Sequence, residues 1–337
     1  MMDRVLVVGP SWVGDMVMAQ TLFKSLLSTR PGVTIDVMAP AAALAVTKRM
    51  PEVSRSILFE MSHGELRPLY RRRFARSLDD YEQAIVLPNS AKSALVPFFA
   101  GIGKRTGFLG EMRYFLLNDI RSLDEQRLPR MIDRFVALGD EQDPANIAYP
   151  ELKLDSRNQE ECLKRLDLDQ ERPVMGICPG AEFGDAKKWP EEHYASLANY
   201  GIENGLQVWI FGSPRDDVAA ERICDGIEKT EYCHNLAGKT TLVDVVDLMA
   251  ISRLVVSNDS GLMHIASAMG CETVVLYGST SPVFTPPLTQ KVEIFSRELS
   301  CSPCFERTCP LDHKECLTRL QPQRLHRVVD KVLDNIL

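Results

Sequence analysis

Residues 254–277 read LVVSNDSGLMHIASAMGCETVVLY. Leu254–Ser257 is a β-branched run of the kind that fills a strand covered on both faces. The polar turn that follows, Asn258-Asp259-Ser260, stops it. Gly261–Met269 then carries apolar residues at helical spacing, and Thr273–Tyr277 is a second apolar strand. A strand, a loop, a helix and a strand in immediate succession make a βαβ unit, which sets the two strands parallel in an α/β sheet.

The same rhythm extends in both directions. Upstream, Val174–Cys178 and Leu206–Phe211 read as strands, and Glu191–Glu203 and Asp216–Lys229 as helices. In the amino-terminal half, Val5–Val8 is a strand, Gly9–Asp15 a loop and Met16–Leu27 helical. Ile35–Val37, Ser56–Leu58, Ala84–Leu87 and Arg105–Phe108 are further short strands between helical stretches. Helical Met131–Leu138 runs into the polar, Pro-containing stretch 139–150, and the linker or domain edge falls between there and Arg172. A chain of 337 residues is long for one core, and two domains of about 150 residues are expected. We place them at 1–165 and 166–321, followed by an amphipathic helix over 322–337. Two such α/β domains put a ligand cleft between the carboxyl ends of their sheets. Nucleotide-sugar transferases, periplasmic-type binding proteins and some two-domain dehydrogenases share that layout.

Composition narrows the classes. Apolar residues at 45% and charged residues at 25% are ordinary globular values, which argues against large-scale disorder. The net charge of −7 argues against a dedicated nucleic-acid binder. Residues 1–150 hold 19 Lys and Arg against 17 Asp and Glu, whereas the remainder holds 20 against 29. The first half therefore suits an anionic partner. No signal peptide or membrane-length apolar run is visible. Nine cysteines, five of them scattered singly, fit a reducing cytoplasm.

Five strand-end loops carry candidate chemistry. In Gly9-Pro10-Ser11-Trp12-Val13-Gly14-Asp15, the carboxylate of Asp15 is either a helix cap or a general base at the sheet's carboxyl end. The loop lacks the GxGxxG dinucleotide pattern, so a nicotinamide cofactor is unsupported. Residues 178–190, CPGAEFGDAKKWP, combine broken backbone with Lys187 and Lys188, which are either solvated or positioned to neutralise a leaving diphosphate. In the third loop, Ser213, Asp216 and Asp217 follow a strand, where an acid can hold ribose hydroxyls or simply favour a helix start. In the fourth, the backbone N–H groups of Ser260 and Gly261 would face a phosphate, with His264 one turn later on the same helix face; the alternative is an Asx turn with a core-packed His264. The fifth, Tyr277–Pro282, suits a ligand loop or an ordinary turn.

Together these loops resemble glycosyltransferase family nine, the heptosyltransferases. The match rests on GPSWVGDMVMAQ at 9–20, MPEV at 50–53, VLPNSAKSALVPFFAGI at 86–102, RTGFLGEMRYFLLND at 105–119, CPGAEFGDAKKWP at 178–190, NDSGLMHIA at 258–266, and the later LYGSTSP and FTPPL. The detail of GPSWVGDM and PGAEFGxAKxWP points to the second-heptose rather than the first-heptose branch. The resemblance implies a GT-B fold: two Rossmann-like domains, acceptor-binding then donor-binding, with the C-terminal helix returning to the first. It implies inverting, metal-independent transfer of L-glycero-D-manno-heptose from ADP-L-glycero-D-manno-heptose to the first heptose of a heptosyl-Kdo2-lipid A acceptor, with no cofactor. Asp15 would be the base and Lys187 would neutralise the diphosphate. Glu182, Lys188, Ser213, Asp216, Asp217, Asp259, Ser260, Gly261 and His264 would meet the donor. Ser11, Trp12, Gly14, Asn89, Lys92 and Arg113 would meet the acceptor. Where first-heptose enzymes carry Thr-Thr, this chain has Glu182-Phe183, so a hydroxyl contact there does not transfer. The location implied is cytoplasmic, peripheral to the inner membrane.

Two features stand outside the resemblance. Cys301, Cys304, Cys309 and Cys316, with His313 among them, have the spacing of a structural zinc site; the alternatives are an iron–sulfur ligand set, less favoured because no redox step is needed, and free or disulfide-bonded thiols in a surface loop. Arg67–Arg76 holds five Arg and no acid, a solvated helix face or a contact for anionic lipopolysaccharide core or the inner leaflet. Two readings remain beside the main one: a family-nine transferase with another acceptor, and a non-catalytic nucleotide-sugar-binding protein, for which Asp15 would be dispensable. A nucleotide-sugar epimerase lacks its glycine fingerprint here.

Overall fold

The computed structural model describes residues 3–60, 65–140 and 147–335. The chain divides into two units, Met1–Glu151 and Leu152–Leu337. The first holds β1 (Arg4–Val8), β2 (Thr34–Ala39), β3 (Val53–Leu58), β4 (Gln83–Val86), β5 (Lys104–Phe108) and β6 (Asp119–Arg121). The second holds β7 (Val174–Cys178), β8 (Gln207–Ile210), β9 (Cys233–Asn235), β10 (Ser252–Asn258), β11 (Glu272–Tyr277) and β12 (Val292–Ser296). Every named strand pair is parallel.

The first sheet runs β3-β2-β1-β4-β5-β6, and the second, read from its other edge, β9-β8-β7-β10-β11-β12. Counted within each unit, both orders are 3-2-1-4-5-6, the doubly wound arrangement of dinucleotide-binding sheets. The winding reverses between β1 and β4 in one sheet and between β7 and β10 in the other. Strand connections diverge at such a switch point, and a crevice opens at the carboxyl ends. Buried valine, leucine and isoleucine fill the central strands, as a sheet covered on both faces demands. Short apolar runs made those strands legible. β6 (DIR), β9 (CHN) and β12 (VEIFS) are edge strands with polar or mixed side chains, and the same signal misses them.

The cut between Glu151 and Leu152 lies inside the stretch read as the linker or domain edge, ahead of the boundary placed at 165. Helix Ser156–Leu166 is capped by Asp155, whose side chain accepts from the N–H groups of Arg157 and Asn158. Asn158 donates to Asp247 at 2.8 Å, and Arg165 pairs with Asp244 at 2.9 Å. These bonds fix the helix to Leu242–Met249 of the second unit. Of the expected linker, residues 141–146 lie outside the described residues.

The C-terminal helix also differs from expectation. Gln323–Asp334 buries Leu325, Val328, Val329 and Val332, spaced i, i+3, i+4, i+7, in the core of the second unit rather than the first. Each such aliphatic side chain contributes about 1.5–3 kcal/mol of burial. Tyr200 on helix Glu191–Glu203 donates to Asp330 at 2.6 Å and stacks on His326, which fixes the helix rotation. Residues 336–337 lie outside the described residues.

Candidate active site

The second unit's switch point is built from β7 and β10. β7 ends at Cys178, and Pro179–Pro190 crosses the sheet end before helix Glu191–Glu203 begins. β10 ends at Asn258, and Asp259-Ser260 leads into helix Gly261–Ala268. Asn258 ties the two loops together inside the protein. Its side-chain amide donates to the Pro179 carbonyl at 2.7 Å, and its carbonyl accepts from the Trp189 N–H at 3.1 Å and the Tyr194 hydroxyl at 3.0 Å. All the hydrogen-bonding groups are paired, so a fully buried polar side chain is tolerated there.

On this base, Lys187 donates to the Asp259 carboxylate at 2.6 Å, with side chains only 13% and 5% exposed. Thr280, on the loop after β11, donates to the same Asp259 oxygen at 2.6 Å. Asp259 thereby holds the ammonium at the sheet's carboxyl end, next to the first N–H groups of helix Gly261–Ala268. Ser260 is that helix's N-cap by backbone conformation, and its hydroxyl lies 3.2 Å from that of Ser257. An ammonium beside a helix N-terminus is an anion-binding combination. His264 lies one turn on, fully buried. Burial lowers its pKa to about 4, with Lys187 adding to the fall and Asp259 opposing it. The imidazole is therefore neutral at neutral pH.

The 178–190 loop is braced from outside. Ala186 N–H donates to the Arg307 carbonyl at 3.0 Å, Lys314 pairs with Asp185, and Lys187 and Arg307 both lie over the Phe183 ring. A Cβ at Gly184 would overlap the Arg307 carbonyl, so only glycine fits. At Gly180 a Cβ would lie 2.6 Å from the Asp216 carboxylate, a side-chain group that would have to move. That carboxylate accepts from Ser213 N–H at 2.9 Å and Ser213 Oγ at 2.8 Å, closing the turn after β8. Asp217 accepts from Asn235 at 2.9 Å, and Glu182 pairs with Arg215 on the surface. The expected donor residues thus converge around one sheet end. Thr280 and Asn258 were missed as site-builders. The Ser/Thr-rich turn after β11 was the available signal for Thr280, and nothing in sequence marked Asn258 as the hub.

The first unit's switch point lies between β1 and β4, where Leu87 N–H bonds to the Val8 carbonyl. Trp12, not Asp15, takes the N-cap position of helix Val13–Thr29, and Asp15 stands half-buried in the first turn. In that first turn the helix dipole favours the Asp15 charge, while the N-cap position itself belongs to Trp12. Ser11 and Trp12 are exposed, Gly14 is buried, and Asn89 and Lys92 line the neighbouring loop. Arg113, expected to meet the acceptor, is 1% exposed. Its guanidinium donates to the carbonyls of Phe108, Pro88 and Ser90, so it binds two loops together. Burial lowers its pKa to about 10. Arg71 of the basic run is also buried, donating to the carbonyls of Leu66 and Glu65.

All nine cysteines are free thiols. Cys301, Cys304, Cys309 and Cys316 line one small cavity with His313 and Lys314. Among the described residues, no three such side chains stand together as a metal ligand set. The Cys309 sulfur faces backbone N–H groups of Leu311, Asp312, His313 and Lys314, which lower its pKa. No described helix is long and apolar enough to cross a membrane.

Residues 71–315 match the model of glycosyltransferase family 9 (heptosyltransferase). The chain is 43% identical to lipopolysaccharide heptosyltransferase 2 of Escherichia coli (strain K12) over 98% of each protein. It is 46% identical to the Salmonella typhimurium lipopolysaccharide heptosyltransferase 2 over 86% of this chain and 87% of that one. It superposes on the structure of E. coli ADP-heptose LPS heptosyltransferase II with a TM-score of 0.86 at 41% identity, covering 98% and 99% of the two chains. The switch-point loops and this likeness along the whole chain make one case: the chain belongs to glycosyltransferase family 9, the heptosyltransferases.

Proposed function

We propose that this protein transfers L-glycero-D-manno-heptose from ADP-heptose to the first heptose of the lipopolysaccharide inner core, with inversion. The observation that carries the proposal is Lys187, held by Asp259 at the end of β7 and β10 beside a helix N-terminus. Charge grows on the departing diphosphate as the bond to the anomeric carbon breaks. A fixed ammonium and the N–H groups of Ser260 and Gly261 stabilise that charge more than the ground state. Glu182, Lys188, Ser213, Asp216, Asp217 and His264 complete the donor side. Asp15 removes the proton from the acceptor hydroxyl while its oxygen forms the new bond to the anomeric carbon, and ADP leaves with the electron pair. Ser11, Trp12, Gly14, Asn89 and Lys92 form the acceptor side, and Arg113 supports it by fixing the loops. Each chemical part has a side chain, and the reaction needs no metal. The acceptor is lipid-linked, so the protein works in the cytoplasm at the inner-leaflet surface.

The test is transfer by the wild type and an Asp15→Ala variant, read as ADP release and acceptor mass. The expected outcome is a gain of one heptose, reduced by roughly a thousandfold in the variant while ADP still binds. Absence of transfer by the wild type would break the substrate assignment. Undiminished transfer by the variant would remove Asp15 from the chemistry.

A further inference from the structure

In a parallel sheet every strand points the same way, so the segments leaving β1, β3, β4 and β5 all emerge at the carboxyl end of the first sheet, the end that carries Asp15. Two of those segments expose large apolar side chains. After β5, Leu109–Leu116 leaves Met112 83%, Phe115 89% and Tyr114 54% exposed. After β3, Leu66 and Leu69 are exposed, Leu69 at 81%.

These side chains sit on a rigid base. Arg113, between Met112 and Tyr114, is buried and bonded to three backbone carbonyls. Glu111 and Met112 take left-handed backbone conformations, with φ of 43° and 49°, which non-glycine residues hold only when their surroundings impose it. Gly110 lies so close to Asn89 that a Cβ would be 2.5 Å from its carbonyl oxygen. Helix Pro68–Ala75 is anchored by Phe74 and Ala75 in the same core cluster that holds Phe99, Leu116 and Leu117, so helix and loop rest on a common support. With Arg71 turned inward, Leu69, Arg72 and Arg73 remain outward. A folded protein that fixes a Met, a Tyr and a Phe in water has a use for them.

Charge identifies the occupant. Residues 66–115 hold nine Lys and Arg against four Asp and Glu, and with the buried Arg71 and Arg113 set aside seven remain against four, in a chain of net charge −7. Exposed apolar side chains able to enter an acyl boundary, on the same unit end as the exposed Arg72 and Arg73, match a bilayer with anionic headgroups. We infer that helix Pro68–Ala75 and the Leu109–Leu116 loop form a membrane-docking surface for an anionic lipid leaflet, which brings the carboxyl end of the first sheet to a lipid-linked acceptor. The choice of a membrane over another partner rests on the acceptor named under Proposed function.

The test uses sedimentation of the full-length protein with vesicles of phosphatidylethanolamine and phosphatidylglycerol, and with vesicles of phosphatidylcholine alone. Two variants are compared, Met112→Ser with Phe115→Ser, and Arg72→Gln with Arg73→Gln. Both alter exposed side chains, and unchanged circular dichroism and ADP affinity check that they fold. The wild type is expected to pellet with the anionic vesicles, and each variant to lose about tenfold in partitioning. Transfer to a deacylated, water-soluble acceptor should stay the same in both, whereas transfer to an acceptor embedded in vesicles should fall. The inference is overturned if the wild type stays in the supernatant or if both variants pellet like it. It is also overturned if the arginine variant loses transfer to the soluble acceptor as severely as to the embedded one, since the arginines would then be reading sugar. If neither acceptor gains heptose while vesicle binding behaves as expected, the substrate assignment fails and the docking surface stands.

Discussion

The two sheets share one strand order but finish their switch points differently. In the second unit the crevice is closed chemistry: a lysine and a threonine both donate to one aspartate, beside a buried asparagine. In the first unit the equivalent edge carries a half-buried carboxylate, a buried arginine bonded to loop carbonyls, and a rim of exposed apolar side chains. A fixed array suits a ligand whose charge is always in one place, such as a diphosphate. An open rim suits a large acceptor that arrives at a surface. The fold supplies the position, and the loops decide what the position is for.

Substitutions can break this contrast. The largest expected effect is a separation of rate from donor affinity. Asp15→Asn should lower kcat by about 10³-fold with ADP affinity unchanged, whereas Lys187→Ala should lower kcat by about 10²-fold and weaken ADP as well. Steady-state kinetics with calorimetric ADP titration reads both, and equal losses of ADP affinity in the two variants would erase the contrast. Next, Asn258→Ala leaves the Trp189 N–H, the Tyr194 hydroxyl and the Pro179 carbonyl without their partner. It should destabilise the second unit by roughly 2–4 kcal/mol in chemical denaturation. A loss under 1 kcal/mol would show that the hub is dispensable.

His264 gives a pH signature. Its folded pKa of about 4 lies below the ordinary value, so the unfolded chain binds the proton first as pH falls. Stability linked to this group is full above about pH 6.5 and declines as pH drops towards 4, by roughly 3 kcal/mol in all. His264→Gln should flatten that part of the pH–stability curve, and an unchanged slope would refute the assignment. A smaller effect is expected for Thr280→Val, which removes one bond to Asp259: a rise of about three- to tenfold in donor KM with kcat nearly constant. Smallest of all, chelation with EDTA should change the transfer rate by less than about twofold, because the proposed reaction assigns no step to a metal.

Apolar runs made the central strands and the α/β class legible, because strands covered on both faces must be continuously hydrophobic. The edge strands carry polar residues, so that signal fails at β6, β9 and β12. Each site loop was visible as a glycine-bearing break after a strand. Their convergence was not, because strand order is a long-range property with no local trace. Arg113 shows the limit from the other side. In LGEMRYFL it looks like a surface cation, yet backbone carbonyls of two loops surround it. Sequence displays charge but not the oxygen atoms that will meet it. The same blindness hid the inward turn of Arg71, whereas the expectation that the C-terminal helix returns to the first unit came from the resemblance and not from local sequence. The linker stretch was recognised as polar, but the cut at Glu151 followed from the side-chain bonds of helix Ser156–Leu166.

The backbone of Arg307 fills the space where a side chain at Gly184 would be, and Lys314 holds Asp185. The loop that carries Lys187 is therefore shaped by a segment more than a hundred residues further along the chain. Anyone exchanging donor loops between relatives to redirect sugar choice would have to move 178–190 and 299–316 as one cassette. A recombination breakpoint between the two would yield chimaeras that fold yet handle their donor poorly.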